Sequence, residues 1–117
     1  MTITADTYQV TKAVLGNGIY MYTYFRDNCA APLGFVWGTG HHGIKLRFDV
    51  MGSYVIPHER RQGVRTKINA RILHDYDVIT TQDGTPDGRK FMMAAGYMFD
   101  KRLDQWYKLK ERKRGTR

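Results

Sequence analysis

One short segment of the chain places a glycine and several cations directly before a predicted helix. Residues 55–68 read VIPHERRQGVRTKI, so a strand end leads through an arginine-rich turn into a first helical turn. A helix N-terminus behaves as about half a positive charge. Arg61, Arg65 and Lys67 would therefore be unfavourable there unless an anion lies among them. We predict that this turn binds a phosphate group.

Backbone and side-chain groups can both contribute to such a site. The N–H groups of a first helical turn have no intrahelical partner and point at a bound anion. Gly63 permits close approach of the backbone, and arginine side chains add charge-assisted hydrogen bonds to phosphate. A solvated basic turn without a ligand is the alternative interpretation.

A few other side chains could take part in proton transfer. Asp49 lies on a predicted strand and could deprotonate an incoming ammonium group, or it could simply be the polar half of an alternating pattern. The adjacent His41 and His42 suggest a base or a metal ligand. Neither a second pair nor a suitably spaced carboxylate accompanies them, so we favour ordinary loop histidines and predict no metal site. Glu59 is predicted to pair with the arginines of the turn.

The strand and helix on either side of the turn must position it. Ile44, Leu46, Phe48 and Val50 alternate with polar residues and predict a strand. This alternation slips around Gly52, which indicates a β-bulge or a splayed strand. After the turn, Val64, Ile68 and Ile72 lie on one stripe of a helix that ends near Tyr76.

The remaining elements follow from hydrophobic patterns and from turn and cap residues. The first 18 residues predict a weak helix, because Val10, Ala13 and Val14 have helical spacing before Gly16-Asn17-Gly18. Strands are predicted at residues 19–25, 33–37, 77–81, 97–99 and 105–109, and a second helix runs from a Thr85 cap to Ala95. This order predicts an α+β fold with a mixed, mostly antiparallel sheet flanked by helices.

Length and composition limit the classes of protein. The 117 residues allow one domain, residues 1–109, followed by a basic tail, residues 110–117. A net charge of +8 favours anionic partners: cofactor phosphates, a nucleic acid or an acidic protein. The single cysteine excludes an internal disulfide, and no signal peptide or membrane span is evident. We therefore predict a cytoplasmic protein without a membrane partner.

Two segments resemble the GCN5-related N-acetyltransferase (GNAT) family. The family signature is Arg or Gln, two residues, Gly, one residue, then Gly or Ala, and all but its last position match Arg60-Arg61-Gln62-Gly63-Val64-Arg65. Residues 85–97, TPDGRKFMMAAGY, look like a later family segment. The resemblance covers residues 19–109 and implies an acetyltransferase-like fold with a shortened N-terminal part. The small size suggests a phage or mobile-element origin.

The resemblance also implies roles for particular residues, with acetyl-coenzyme A as co-substrate. Val55 and Ile56 would offer backbone groups to the pantetheine arm. The pyrophosphate would be surrounded by Arg60, Arg61, Gln62, Gly63, Val64, Arg65 and Thr66. The bulge near Gly52 would admit the thioester, whose developing oxyanion an unpaired backbone N–H can stabilise.

Departures from the family pattern bear on catalysis. Arg65 replaces Gly or Ala, so its side chain must turn away from the phosphate or clamp it. Met92 replaces a tyrosine that would protonate the departing thiolate, and a thioether has no proton to give. Tyr97 is the replacement we favour, with Tyr107 as the alternative. Asp49 is the candidate base.

The sequence therefore predicts an acyl-coenzyme A-dependent N-acetyltransferase that acts on an amine of a small molecule or protein. The short N-terminal part leaves the acceptor pocket open or completed by a partner, for example in a homodimer. The alternative is a catalytically inactive acetyltransferase-like module that binds a protein or a nucleic acid. In the nucleic-acid version, basic residues contact phosphates and Tyr20, Tyr22 and Tyr24 stack on bases.

Overall fold

The computed structural model describes residues 7–27, 29–82 and 85–110. These contain strands β1 (Tyr8–Gly16), β2 (Ile19–Arg26), β3 (Gly34–His42), β4 (Leu46–Val55), β5 (Val78–Thr81), β6 (Met98–Asp100) and β7 (Gln105–Leu109), helices α1 (Val64–Asp75) and α2 (Pro86–Ala94), and a 3₁₀ turn at Pro57–Glu59. Neither helix in these ranges is long and apolar enough to span a membrane. Residues 111–117 of the predicted basic tail lie outside the described ranges, so the boundary after residue 109 stays a prediction.

All seven strands form one mixed sheet in the order β1-β2-β3-β4-β5-β7-β6. Every neighbouring pair is antiparallel except β4 and β5, which are parallel. A parallel pair needs a long crossover connection, and α1 provides it. The predicted α+β fold with a mixed, mostly antiparallel sheet is confirmed.

The predicted N-terminal helix is wrong, because this segment is the edge strand β1. It pairs with β2 from Tyr8 opposite Arg26 to Gly16 opposite Ile19. Asn17 and Gly18 have φ angles of 46° and 78°, so the glycine-rich segment forms a tight hairpin turn. The helical spacing of the apolar residues is a local pattern, and pairing with β2 overrides it.

The core lies between α1 and one face of the sheet, which we call the helix face. Buried side chains there include Tyr22, Tyr24, Val36, Phe48 and Ile79 from the strands and Val64, Ile68, Ile72 and Leu73 from α1. Tyr22 and Tyr24 are almost completely buried, so they pack in the core and are not available to stack on bases. Because side chains alternate along a strand, Trp37, Asp49 and Thr80 lie on the opposite face.

Candidate functional site

Strands β4 and β5 pair only at one end and then separate. Their paired residues are Arg47 with Val78, Phe48 with Ile79 and Asp49 with Thr80. β4 continues to Val55 without further pairing to β5. The separation opens the sheet between two neighbouring strands and exposes one edge of β4.

A β-bulge in β4 accompanies this separation. Trp37 on β3 lies opposite Gly52, and Gly38 lies opposite Val50, which leaves Met51 as an extra residue. A Cβ atom on Gly38 would lie 2.1 Å from the carbonyl oxygen of Asp49, so only glycine allows this close approach. The bulge expected near Gly52 is therefore present, and such bulges bend and twist the strand that carries them.

The separated strands enclose a cleft of about 220 Å³. It is lined by Val50, Met51, Gly52, Ser53, Arg65, Thr81, Gln82, Phe91 and Met92. Met92 is 2% exposed, so the thioether that replaces the family tyrosine belongs to both the core and the cleft wall. The cleft thus brings together the bulge, the start of α1 and one side of α2.

The arginine-rich turn ends at the start of α1 beside this cleft. Gly63 is the N-cap of α1 with a φ of 83°, and no side chain caps the helix. A Cβ atom on Gly63 would meet no atom within 4 Å, so the space in front of the turn is open. Arg61 also has a positive φ, 68°. Consecutive backbone N–H groups in such a turn form a concavity that suits an anion.

Two residues assigned to the pantetheine arm already use backbone groups within the protein. The Val55 carbonyl accepts a hydrogen bond from Arg60 Nε at 2.9 Å, and the Arg60 guanidinium lies 5.6 Å from the centre of the Tyr54 ring. The Ile56 N–H donates to the Leu33 carbonyl at 3.0 Å. A role for Val55 and Ile56 in binding pantetheine therefore rests on their other backbone atoms.

The remaining residues of the turn differ in what they can offer an anion. Val64 is 1% exposed and packs in the core, so only its backbone reaches the turn. The side chains of Arg61, Gln62 and Thr66 are exposed. Thr66 also lines a separate groove along α1.

Glu59 makes an ion pair with β2 rather than with the turn. Its Oε1 accepts a hydrogen bond from Arg26 Nη2 at 2.8 Å, in place of the predicted pairing with arginines of the turn. The hydrogen bond from Arg26 holds the pKa of the Glu59 carboxyl below its ordinary value. The ion pair between Arg26 and Glu59 connects the 3₁₀ turn to strand β2. Because Glu59 pairs with Arg26, the exposed side chain of Arg61 contributes positive charge at the edge of the turn.

The Arg65 side chain lies in the cleft. Its Nη1 donates to Ser53 Oγ on β4 at 2.8 Å, and its Nε donates to Asn69 Oδ1 on α1 at 3.3 Å. Its guanidinium carbon lies 5.3 Å from the centre of the Phe91 ring on α2. Arg65 therefore links all three elements that surround the cleft.

Asp49 lies on the opposite face, at the point where β4 and β5 separate. Its carboxylate accepts hydrogen bonds from Arg47 Nε at 2.8 Å and from the Thr80 hydroxyl. His41 Nε2 lies 2.9 Å from Asp49 Oδ2. His41 belongs to β3, not to the loop that the sequence pattern predicts, and its pairing with Asp49 was not predicted. The alternation of Thr39 and His41 on a strand paired with β4 is the signal that would have revealed it.

The two predicted catalytic residues have separate sets of contacts. The Tyr97 hydroxyl accepts a hydrogen bond from Asn69 Nδ2 at 2.9 Å. Burial raises the pKa of Tyr97, and interactions with Arg65 and Asn69 oppose that rise. Since Asp49 contacts His41 and residues of the opposite face, the structure does not place Asp49 and Tyr97 in contact.

Tyr107 shares a row of the sheet with Asp49. Asp49 is opposite Thr80 on β5, and Thr80 is opposite Tyr107 on β7. Residues that are directly opposite each other in a sheet share a face. The Tyr107 hydroxyl lies 3.7 Å from Met98 Sδ.

Among the residues that the structure describes, no group of three or more His, Cys, Asp or Glu side chains could hold a metal ion.

A mixed sheet that separates beside a glycine turn at a helix start defines a GNAT-like acetyltransferase fold. The chain is similar to a protein described as an acetyltransferase of the GNAT family from Desulfovibrio desulfuricans, with 15% identity, a TM-score of 0.65, and coverage of 80% of this chain and 71% of that chain. It is also similar to AtaTR bound with acetyl-coenzyme A, with 9% identity, a TM-score of 0.57, and coverage of 80% and 68%.

These comparisons confirm the predicted resemblance at the level of the fold. At such low identities, similarity of structure does not transfer an activity. No protein-family model matches the chain, and no curated protein matches it. Neither solved structure is described as a phage protein, so the comparisons do not support a phage origin.

Proposed function

We propose that this chain is an acyl-coenzyme A-dependent N-acetyltransferase that moves an acetyl group to an amine of a small molecule or protein. The observation that carries this proposal is the separation of β4 from β5 beside the Gly63 turn at the start of α1. The similarity to AtaTR bound with acetyl-coenzyme A supports that molecule as co-substrate.

The turn has the features that a pyrophosphate requires. Gly63 leaves open space, the first turn of α1 contains no acidic residue, and the Arg61 side chain is exposed. Arg60 donates a hydrogen bond from Nε to the Val55 carbonyl, and the other N–H groups of its guanidinium can donate to an anion. We assign pyrophosphate binding to the turn residues Arg60, Arg61, Gln62, Gly63, Val64, Arg65 and Thr66.

The cleft would hold the acyl group beside the unpaired edge of β4. Acetyl-coenzyme A supplies an acetyl group activated as a thioester. The edge of β4 beyond Asp49 is not paired with β5, and its backbone N–H groups can donate to the thioester oxygen. Met51 lines the cleft, and its sulfur accepts a hydrogen bond from Thr39 on the opposite face at 3.3 Å. The acceptor amine would therefore approach from the opposite face.

His41 and Asp49 are the groups best placed to take a proton from that amine. When His41 Nε2–H donates to Asp49, the other ring nitrogen is free of a proton and can accept one. Asp49 then orients His41 as well as contributing negative charge that attracts an ammonium group. The predicted catalytic role of Asp49 becomes a shared role with His41.

Tyr97 is the proposed donor of a proton to the departing thiolate. A tyrosine hydroxyl is protonated at neutral pH, and burial raises the pKa of Tyr97 further above its ordinary value. Asn69 contacts both Tyr97 and Arg65, which connects this hydroxyl to the edge of the cleft. Tyr107 is the alternative donor, since it lies on the same face as Asp49.

Ligand-induced thermal stabilisation tests the co-substrate. Acetyl-coenzyme A at 100 times its Kd should stabilise the protein by about 2.7 kcal/mol and raise its Tm. Gly63→Val should abolish the shift, because the new side chain enters the space left for phosphate. Gly18→Val is the matched control, since Gly18 has a similar φ of 78° in the β1–β2 turn. Absence of a shift in the unaltered protein would refute the proposal.

A catalytically inactive binding module is the second candidate function. Arg65 in the cleft and Met92 in its wall favour this alternative. Thiol release with a panel of amines and with lysine-containing peptides distinguishes the two functions. Binding of coenzyme A without acetylation of any acceptor supports the binding module. Salt-dependent retention on nucleic acid that is lost on deletion of residues 111–117, which leaves strand β7 intact, would identify a nucleic-acid partner.

A further inference from the structure

The position of Arg65 affects which ligands can enter the cleft. Its side chain starts on α1 and reaches Ser53, which lies on the edge of β4 beyond the last residue paired with β5. Arg65 and Ser53 both line the cleft. A pantetheine arm running along this edge would need the space that the guanidinium occupies. This role of Arg65 depends on the proposed function, in which the cleft binds acetyl-coenzyme A.

The contacts of Arg65 bridge the cleft, and Arg65 also interacts with the hydroxyl of Tyr97. Ser53 holds the guanidinium on the β4 side at 2.8 Å, Asn69 holds Nε on the α1 side at 3.3 Å, and Phe91 lies against the planar group from α2. Each contact is modest for a partly exposed side chain, and a competing charge-assisted bond can replace it.

The phosphate turn provides such a competitor. Arg65 is the second residue of α1, so its side chain begins within the same helical turn that faces the open space at Gly63. A pyrophosphate bound there would attract the guanidinium away from Ser53, because a bidentate arginine–phosphate pair is stronger than a bond to a neutral hydroxyl.

We propose that Arg65 is a latch that makes entry to the cleft depend on a phosphate-bearing ligand. Without phosphate, Arg65 bridges α1 and β4 and blocks the pantetheine path. With pyrophosphate on the turn, Arg65 moves to the anion and the path opens. Arg65 is therefore a specificity-determining residue that selects coenzyme A over pantetheine, although it is bulkier than the Gly or Ala of the family signature.

Calorimetric binding of coenzyme A and of pantetheine tests this inference at fixed ionic strength. The unaltered protein should bind coenzyme A and should bind pantetheine weakly. Ser53→Ala removes the far contact but keeps the arginine, so pantetheine affinity should rise about tenfold, the effect of one hydrogen bond to a charged group, while coenzyme A binding persists.

Arg65→Ala should narrow the preference for coenzyme A over pantetheine by about tenfold or more, because it removes both the block and the phosphate contact. Arg89→Ala, at an exposed arginine on α2, is the matched control and should leave the preference unchanged. Circular dichroism and melting curves establish that each variant is folded, and Ser53→Ala alone decides the question if Arg65→Ala does not fold.

The possible failures are distinguishable. Unchanged pantetheine affinity in Ser53→Ala and Arg65→Ala, with coenzyme A still bound, overturns the latch and leaves the proposed function intact. Equal loss of both ligands in Arg65→Ala makes Arg65 a structural support and also overturns the latch. Failure of the unaltered protein and of every variant to bind coenzyme A overturns the proposed function and the latch with it.

Discussion

The replacement Asp75→Asn should destabilise the protein because Asp75 attaches the end of α1 to the sheet. Asp75 is the last residue of α1, and its Oδ2 accepts hydrogen bonds from the Tyr22 hydroxyl at 2.7 Å and from Arg71. Lys12 Nζ lies 3.7 Å from the same oxygen. Burial alone would raise the pKa of Asp75, but the hydrogen bonds from Tyr22 and Arg71 outweigh it and lower the pKa to about 2.

The size of the effect follows from the difference between folded and unfolded states. The ordinary pKa of this carboxyl is 3.8, and it falls to about 2 on folding. At about 1.4 kcal/mol per pH unit, the ionised form stabilises the native state by about 2 kcal/mol. Because the folded pKa is depressed, this stability is fully present above about pH 4 and is lost as the pH falls toward 2.

Urea unfolding at several pH values measures this contribution. Asp75→Asn should lower the free energy of unfolding at pH 7 by about 2 kcal/mol and should flatten its decline between pH 4 and pH 2. Asp104→Asn is the control, because Asp104 is exposed and asparagine tolerates its φ of 52°. Parallel pH profiles for the unaltered protein and Asp75→Asn would contradict this role of the Asp75 carboxylate.

Three further predictions test the bulge, the proposed base and a helix cap. Gly38→Ala should cost about 2 kcal/mol or more in urea unfolding, because its Cβ would lie 2.1 Å from the Asp49 carbonyl oxygen; an unaffected midpoint would show that β4 shifts freely. His41→Gln should lower kcat about 100-fold with unchanged coenzyme A affinity, whereas unchanged kcat excludes His41 as the base. Thr85→Ala should cost about 1 kcal/mol, since the Thr85 hydroxyl accepts from the Gly88 N–H at 3.0 Å; equal stability of Thr85→Ala and the unaltered protein contradicts this role.

Local patterns predicted the elements whose stabilising groups are close in sequence. The apolar stripe of α1 and the Thr85 cap of α2 are both present in the structure. A helix closes its own hydrogen bonds within a few residues, so spacing and caps carry most of the signal. Local spacing gave the wrong structure for β1. A strand is stabilised by hydrogen bonds to another segment, and the spacing of the apolar residues in β1 does not identify that segment.

The candidate site likewise combines features that depend on one short segment with features that depend on contacts between distant residues. The Gly63 turn was predicted from charge and backbone rules that apply to one short segment. The pairing of His41 with Asp49 depends on the register of β3 and β4. The contact of Arg65 with Ser53 depends on how closely α1 packs on the sheet. Strand register and helix packing bring residues that are distant in sequence into contact, so the pattern within one segment does not predict these contacts.

The amino-acid pattern alone predicts an α+β chain with a basic glycine turn before α1, because helix periodicity, strand alternation and turn composition are local properties. The pattern also indicates a bulge or a splayed strand near Gly52, but the folded arrangement is needed to show that β4 and β5 separate after Asp49, that Met51 is the extra residue of the bulge, and that Arg65 crosses the resulting cleft. These features arise from the mutual fit of several elements, since hydrogen-bond register and side-chain packing are set only when the strands and α1 meet.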